Sequence, residues 1–274
     1  MERIRQAVEQ ASRDRETKAK DKPEVPVAPA PKKSQDDMTA TQEIRYTQTR
    51  RVDVSPALRE EKKLVAAIPG NPLQDTYRML RTRVFQELAA NDWNTIAVTS
   101  PATASGKTLT AINLAITIAM DVSHTALLID ADLRHPAIHD YFGYTPEFGL
   151  NDYLDQDIPL SSILFHPNID RLTVMPGREA ISESAETLRS PKMVTMMKEI
   201  KNYYSDRIIV LDVPPVLTID DALAFAPSVD CMLLVAEYGS TSKEELREAI
   251  ELLEGIPIIG TVLNKTEKKV GSAY

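Results

Sequence analysis

The spacing of apolar positions along this 274-residue chain changes near Trp93. Before it, Leu73, Tyr77, Leu80, Val84 and Leu88 recur at helical intervals and predict a helix with one core-facing stripe. That helix should open at Asn71-Pro72, where Asn caps and Pro suits the first turn. Beyond Trp93, short continuous apolar runs at Thr95–Thr99, Ala126–Ile129, Leu172–Met175, Ile208–Leu211, Cys231–Ala236 and Ile256–Leu263 read as strands. Helices are predicted over Lys107–Met120, Pro191–Tyr204, Asp220–Phe225 and Ser242–Leu253. Strands apolar on both faces, alternating with helices, belong to an α/β fold with a mostly parallel central sheet flanked by helices.

Residues 1–68 break this pattern. Ile4, Val8 and Ala11 fit one face of a short helix within residues 1–16, but from Lys18 to Ser55 the chain is rich in Pro, Lys, Asp, Gln and Thr. Pro23, Pro26, Pro29 and Pro31 are closely spaced, and no glycine precedes Gly70. Such a segment reads as a mostly disordered N-terminal arm, stiffened by proline. The expected division is an arm over 1–68, a folded domain over 69–265 and a C-terminal tail over 266–274.

Charge sharpens what the domain is expected to bind. Residues 1–68 carry 15 Lys/Arg against 12 Asp/Glu, leaving 17 against 28 for the rest of the chain. An acidic domain repels the nucleic-acid backbone, so nucleic acid is not an expected partner. Cys231 stands alone within Cys-Met-Leu-Leu-Val, which excludes an internal disulfide and reads as a buried strand thiol in a reducing cytoplasm. No apolar run reaches the roughly 20 residues of a membrane-spanning helix, so no direct membrane insertion is expected.

The candidate chemistry lies where strands end. Ile96-Ala-Val-Thr-Ser100 leads through Pro101-Ala-Thr-Ala104-Ser105-Gly106-Lys107-Thr108 into the helix that begins at Leu109. This strand, loop and helix order is what a phosphate-binding P-loop requires. Gly106 allows close backbone approach, amides of the helix N-terminus point at phosphate oxygens, Lys107 adds a positive charge, and Thr108 offers a hydroxyl to Mg²⁺. The loop departs from the usual pattern in starting with Pro101 and holding one glycine. Two other apolar runs, Leu127-Leu-Ile-Asp130 and Ile208-Ile-Val-Leu-Asp212, end in a carboxylate. At the ligand-facing ends of a parallel sheet, Asp130 and Asp212 suit the metal side of a nucleotide site.

With these motifs in order, the sequence resembles the bacterial tyrosine kinases of capsule and exopolysaccharide synthesis, nearest the chain-length-determinant and exosortase-associated autokinases. The resemblance rests on Ser100 to Thr108, on Leu127-Leu-Ile-Asp-Ala-Asp132-Leu-Arg134, and on Ile209-Val-Leu-Asp212-Val-Pro-Pro215, and it covers roughly residues 71–265. It implies an ATP- and Mg²⁺-dependent protein-tyrosine autokinase. Residues 104–109 would hold phosphates, Lys107, Asp130, Asp132 and Asp212 would carry catalysis, and Thr108, Asp130 and Asp212 would hold the metal. It further implies that Asp75, Arg78 and Arg81 join subunits into an oligomer. Asp75 replaces the family's Glu, and plain local ion pairs are the alternative for that helix face. The implied partner is a transmembrane polysaccharide chain-length regulator, which would place the chain in the cytoplasm against the inner membrane. The family phosphorylates several tail tyrosines, whereas here Tyr274 alone occupies the tail; Tyr203 and Tyr204 read as packing or helix-end residues.

Two other functions fit the same nucleotide motifs. A partitioning ATPase of the MinD kind would use ATP as a dimerisation switch, but its extra loop lysine is replaced here by Ala102. A nucleotide-bound scaffold of a polysaccharide export complex, without phosphoryl transfer, is the other.

Overall fold

The computed structural model describes residues 49–204, 206–218 and 224–266. The helix expected within 1–16, most of Asp220–Phe225 and Tyr274 lie outside them. One eight-stranded sheet runs through the described residues, formed by β1 (Arg50–Arg51), β2 (Thr95–Thr99), β3 (Thr125–Asp130), β4 (Phe165–His166), β5 (Leu172–Met175), β6 (Arg207–Asp212), β7 (Cys231–Glu237) and β8 (Ile258–Asn264). Its order is β1-β4-β5-β3-β6-β2-β7-β8, with every pairing parallel except β4 against β5.

Alternate residues of each central strand feed two cores. Ile96, Val98, Leu128, Val210 and Leu233 face one, and Ala97, Leu127, Ile129, Ile209, Leu211 and Leu234 face the other. Burial on both faces explains why these strands read as continuous apolar runs. The first face is covered by α2 (Gln74–Asn91) and α3 (Lys107–Ala119), the second by α5 (Leu150–Asp155), α7 (Pro191–Tyr203) and α8 (Lys243–Leu252). Ser190 caps α7 with Pro191 at its first position, and Ser242 with Glu245 forms a capping box on α8.

Residues 49–68, assigned to the arm by composition, are folded. They form β1, α1 (Pro56–Glu61) and a 3₁₀ turn over Val65–Ala67, burying Val54, Leu64 and Ala66. The reason lies in α3, which is apolar on all sides and must be covered away from the sheet. Its buried Asn113 accepts from the Ala66 amide at 2.9 Å and donates to the Lys63 carbonyl, tying the segment down. Sparse apolar residues among charges hid this docking from a composition argument.

The preceding helix also differs from its prediction. It starts at Gln74, and Asn71 instead accepts from the Leu73 amide in a turn before it. Leu73, expected in the buried stripe, is 47% exposed, whereas Val84 and Leu88 are buried. The short helices α4 (Ile138–Tyr141), α5 and α6 (Ser184–Leu188) were not anticipated, since four to six residues are too few to show a helical period. No helix among the described residues is long and apolar enough to cross a membrane.

Candidate functional site

Sheet order brings the motifs together. β6 lies between β3 and β2, and the register pairs Asp130 with Asp212 and Val98 with Asp212. The chain leaves β2 toward β3 on one side and leaves β6 toward β7 on the other, so the strand ends open at a switch in direction. In open α/β sheets ligands bind in that crevice.

The loop between β2 and α3 is held from several directions. Val216 and Leu217, just past β6, donate their amides to the carbonyls of Ser100 (2.9 Å) and Pro101 (3.2 Å). Pro101 is therefore tolerated where glycine is usual, because the loop asks it for an acceptor and not a donor. Ser100 and Ser105 hydroxyls both donate to the Ala102 carbonyl, closing the loop on itself. Gly106 has φ 88 and Ala104 φ 61, left-handed values that suit the first and strain the second.

Four charged or polar side chains meet at the base of the loop. Lys107 Nζ lies 2.8 Å from Asp132 Oδ2 and 3.1 Å from Asp212 Oδ1, and Thr108 Oγ1 donates to Asp212 Oδ2 at 2.6 Å. Burial works against the Lys107 ammonium, yet Asp212 and Asp132 outweigh it and hold its pKa above the ordinary value. Burial also raises Asp212, against which Lys107 and the Thr108 hydroxyl act. Asp130 is fully buried; burial first and the Asp212 charge second push its carboxyl up to about 8. Its Oδ2 accepts the amides of Ala137 and Ile138, each at 2.9 Å, while Oδ1 is buried without a hydrogen-bond partner.

That orphaned carboxylate oxygen is what a cation site needs. Among the described residues no three or more His, Cys, Asp or Glu side chains form an all-protein metal cage. Mg²⁺ does not require one, since it is usually held by one or two carboxylates, waters and substrate phosphates. Asp130, Asp212 and Thr108 fit that kind of site.

The remaining predicted residues fall into place unequally. Ser105 is buried and Ala104 exposed in the loop, and Leu109 lies in the first turn of α3 with its carbonyl accepting from Asn113. Asp132 pairs with Lys107 and also accepts the His135 amide. Asp75, Arg78 and Arg81 lie on α2. Arg78 bridges Asp75 at 2.9 Å and Gln74 at 3.1 Å, while Arg81 donates to the Thr117 carbonyl near the end of α3. Tyr203 is exposed at the end of α7, edge-on to Tyr204.

Two neighbours of the site escaped the sequence reading. Tyr141 is half-buried; burial raises its hydroxyl pKa, Asp212 adds to the rise and Lys107 opposes it. Asn264 closes β8 and donates to the Ser105 carbonyl at 2.9 Å. A polar residue ending an apolar strand was the signal for Asp130 and Asp212, and it applied equally to Asn264.

Residues 96–272 match the CobQ/CobB/MinD/ParA nucleotide binding domain, and the chain belongs to that family. CapB of Staphylococcus aureus is 29% identical over 208 residues, covering 75% of this chain and 90% of CapB. The tyrosine-protein kinase Etk of Escherichia coli K12 is also 29% identical over 208 residues, but these make up 28% of Etk. The succinoglycan biosynthesis transport protein ExoP of Rhizobium meliloti is 28% identical over 221 residues, again 28% of that protein. The chain thus spans little more than a quarter of these two larger relatives. The kinase domain of E. coli Etk superposes with a TM-score of 0.70 at 27% identity, covering 82% of this chain and 91% of that domain. MinD of Pyrococcus horikoshii, at 19% identity and a TM-score of 0.53, shares the fold alone.

Proposed function

We propose that this chain is an ATP- and Mg²⁺-dependent protein-tyrosine kinase acting in polysaccharide synthesis and export. The observation that carries the reading is the meeting of Lys107, Thr108, Asp132 and Asp212 below the loop, with the orphaned Asp130 oxygen on the neighbouring strand end. The similarity to Etk along the length of its kinase domain supports tyrosine as the acceptor, and the ExoP relationship supports the polysaccharide setting.

Phosphoryl transfer asks a protein mainly for positioning and charge stabilisation. The loop amides and Lys107 would hold the phosphates, and Thr108, Asp130 and Asp212 would hold Mg²⁺. Bound Mg²⁺ neutralises charge on the transferring phosphoryl group. A tyrosine oxygen bonds to the γ-phosphorus as the bond to the β-phosphate oxygen breaks, and Asp132, released from Lys107 by the arriving phosphates, takes the hydroxyl proton with Asp130 beside it. Tyr274 is the proposed acceptor.

The proposal is tested by incubating the chain with γ-labelled ATP and identifying the labelled amino acid. Label on tyrosine, most of it lost in Tyr274→Phe, is expected. Phosphate release with no labelled tyrosine would favour the dimerisation switch, and neither product would favour the scaffold.

Assembly forms part of the same reading. The proposed ring contact uses Asp75, Arg78 and Arg81, and activation is proposed to come from a transmembrane chain-length regulator holding the chain at the inner membrane. Arg78→Ala combined with Arg81→Ala should lower the oligomer mass in light scattering while nucleotide still binds. An unchanged mass would assign Arg78 to its pair with Asp75 and Arg81 to the end of α3.

A further inference from the structure

Among the described residues β8 lies at the edge of the sheet and pairs with β7 alone. Its last residue nevertheless reaches the phosphate loop. Asn264 is fixed by the register that pairs it with Glu237 and by the Tyr238 amide, which donates to its carbonyl at 2.9 Å. From there Nδ2 donates to the Ser105 carbonyl at 2.9 Å. The contact is close: a Cβ built on Gly106 would lie 2.2 Å from this Nδ2. Glycine at 106 is favoured by its φ of 88°, and a Cβ there would push the Asn264 amide off the Ser105 carbonyl.

This hydrogen bond fixes a particular peptide plane. In a planar trans peptide the carbonyl and the following N–H point in opposite directions. With the Ser105 carbonyl turned to Asn264, the Gly106 N–H is turned the other way, free to meet a phosphate oxygen in the loop. A flip of that plane would present a carbonyl oxygen to an anion. Gly106 leaves that plane free to turn, and Ala104 sits at φ 61, a strained value for a residue with a Cβ. Strained conformations persist where the surroundings over-determine them. The first half of the loop is held by the Val216 and Leu217 amides, and the second half, beyond the bond from Ser105 Oγ to Ala102, by Asn264.

We infer that Asn264 is a positioning residue for the nucleotide, orienting the Ser105–Gly106 peptide and coupling strand β8 to the occupancy of the phosphate loop. The inference rests on the reading of residues 101–108 as that loop. Coupling is reciprocal, so nucleotide should stabilise β8 just as Asn264 stabilises nucleotide binding.

Calorimetric titration of the full chain with ADP and Mg²⁺ supplies one half of the test. Asn264→Ala should bind about 5- to 10-fold more weakly than wild type, the equivalent of one net hydrogen bond. Asn264→Asp should bind more weakly still, because a carboxylate can neither donate to the Ser105 carbonyl nor tolerate nearby phosphate. Hydrogen exchange supplies the other half and needs no variant to fold: ADP should slow exchange in residues 258–264 of wild type. That slowing should vanish in Asn264→Ala. Equal affinity in wild type and both variants, or exchange in β8 indifferent to ADP, would overturn the inference alone. Failure of wild type to bind ADP would overturn the reading of the loop and this inference with it.

Discussion

Asp130→Asn is expected to raise the melting temperature of the metal-free, nucleotide-free chain while abolishing phosphoryl transfer. The native carboxyl is fully buried, one oxygen has no partner, and burial with the Asp212 charge raises its pKa from 3.8 to about 8. A folded-state pKa above the unfolded one means that the folded form holds its proton while the unfolded form releases it. Stability therefore falls as pH rises from the unfolded value to the folded one and levels off above it. Asn carries no titrating charge, so its advantage should grow between pH 5 and pH 8, reaching about 5 °C at the upper end. Melting curves in EDTA across that range check it; an advantage independent of pH would contradict the assignment of charge as the cause. A site residue that costs stability in the empty protein is the usual signature of function traded against stability.

Lys107→Met should do the reverse in the empty protein. The ammonium lies between Asp132 at 2.8 Å and Asp212 at 3.1 Å, and all three side chains are nearly inaccessible. Removing it leaves two buried carboxylates without their cation, a change that typically costs about 3–5 kcal/mol. Asp212, whose carboxyl burial already raises, can relieve part of this by taking up a proton, so the loss should be greater at pH 8 than at pH 5. Denaturant unfolding at the two pH values measures the difference. Nucleotide affinity and transfer should both be lost, because the same ammonium serves the phosphates. Asp130→Asn and Lys107→Met thus share a functional effect and have opposite effects on stability, which a generally misfolded variant would not reproduce.

The sheet and the three strand-end motifs were legible because they depend on features that span whole elements. Apolar runs long enough to be buried on both faces announced β2, β3, β6 and β7, and a carboxylate at the end of two of them marked the crevice. Interactions fixed by a single residue across a long sequence separation were not legible. Nothing near Ala66 says that Asn113 will accept its amide, so the docking of residues 49–68 was read as part of the arm. Likewise nothing near Asp132 says that the fold will deliver Lys107 to it from another strand end. The Asp75, Arg78 and Arg81 stripe read correctly as a helix face, but the turning of Arg81 onto the end of α3 depends on how two helices pack.

The account stands on the claim that Asp130, Asp212 and Thr108 hold the metal beneath a nucleotide bound by the Lys107 loop. Titration of the wild-type chain with ADP, in Mg²⁺ and again in EDTA, tests this most directly when repeated on Asp130→Asn and Asp212→Asn. Tight binding that requires Mg²⁺ in wild type, with the Mg²⁺ requirement lost or the affinity sharply reduced in both variants, is the predicted result. Binding of equal strength with and without Mg²⁺, unaffected by either substitution, would contradict it.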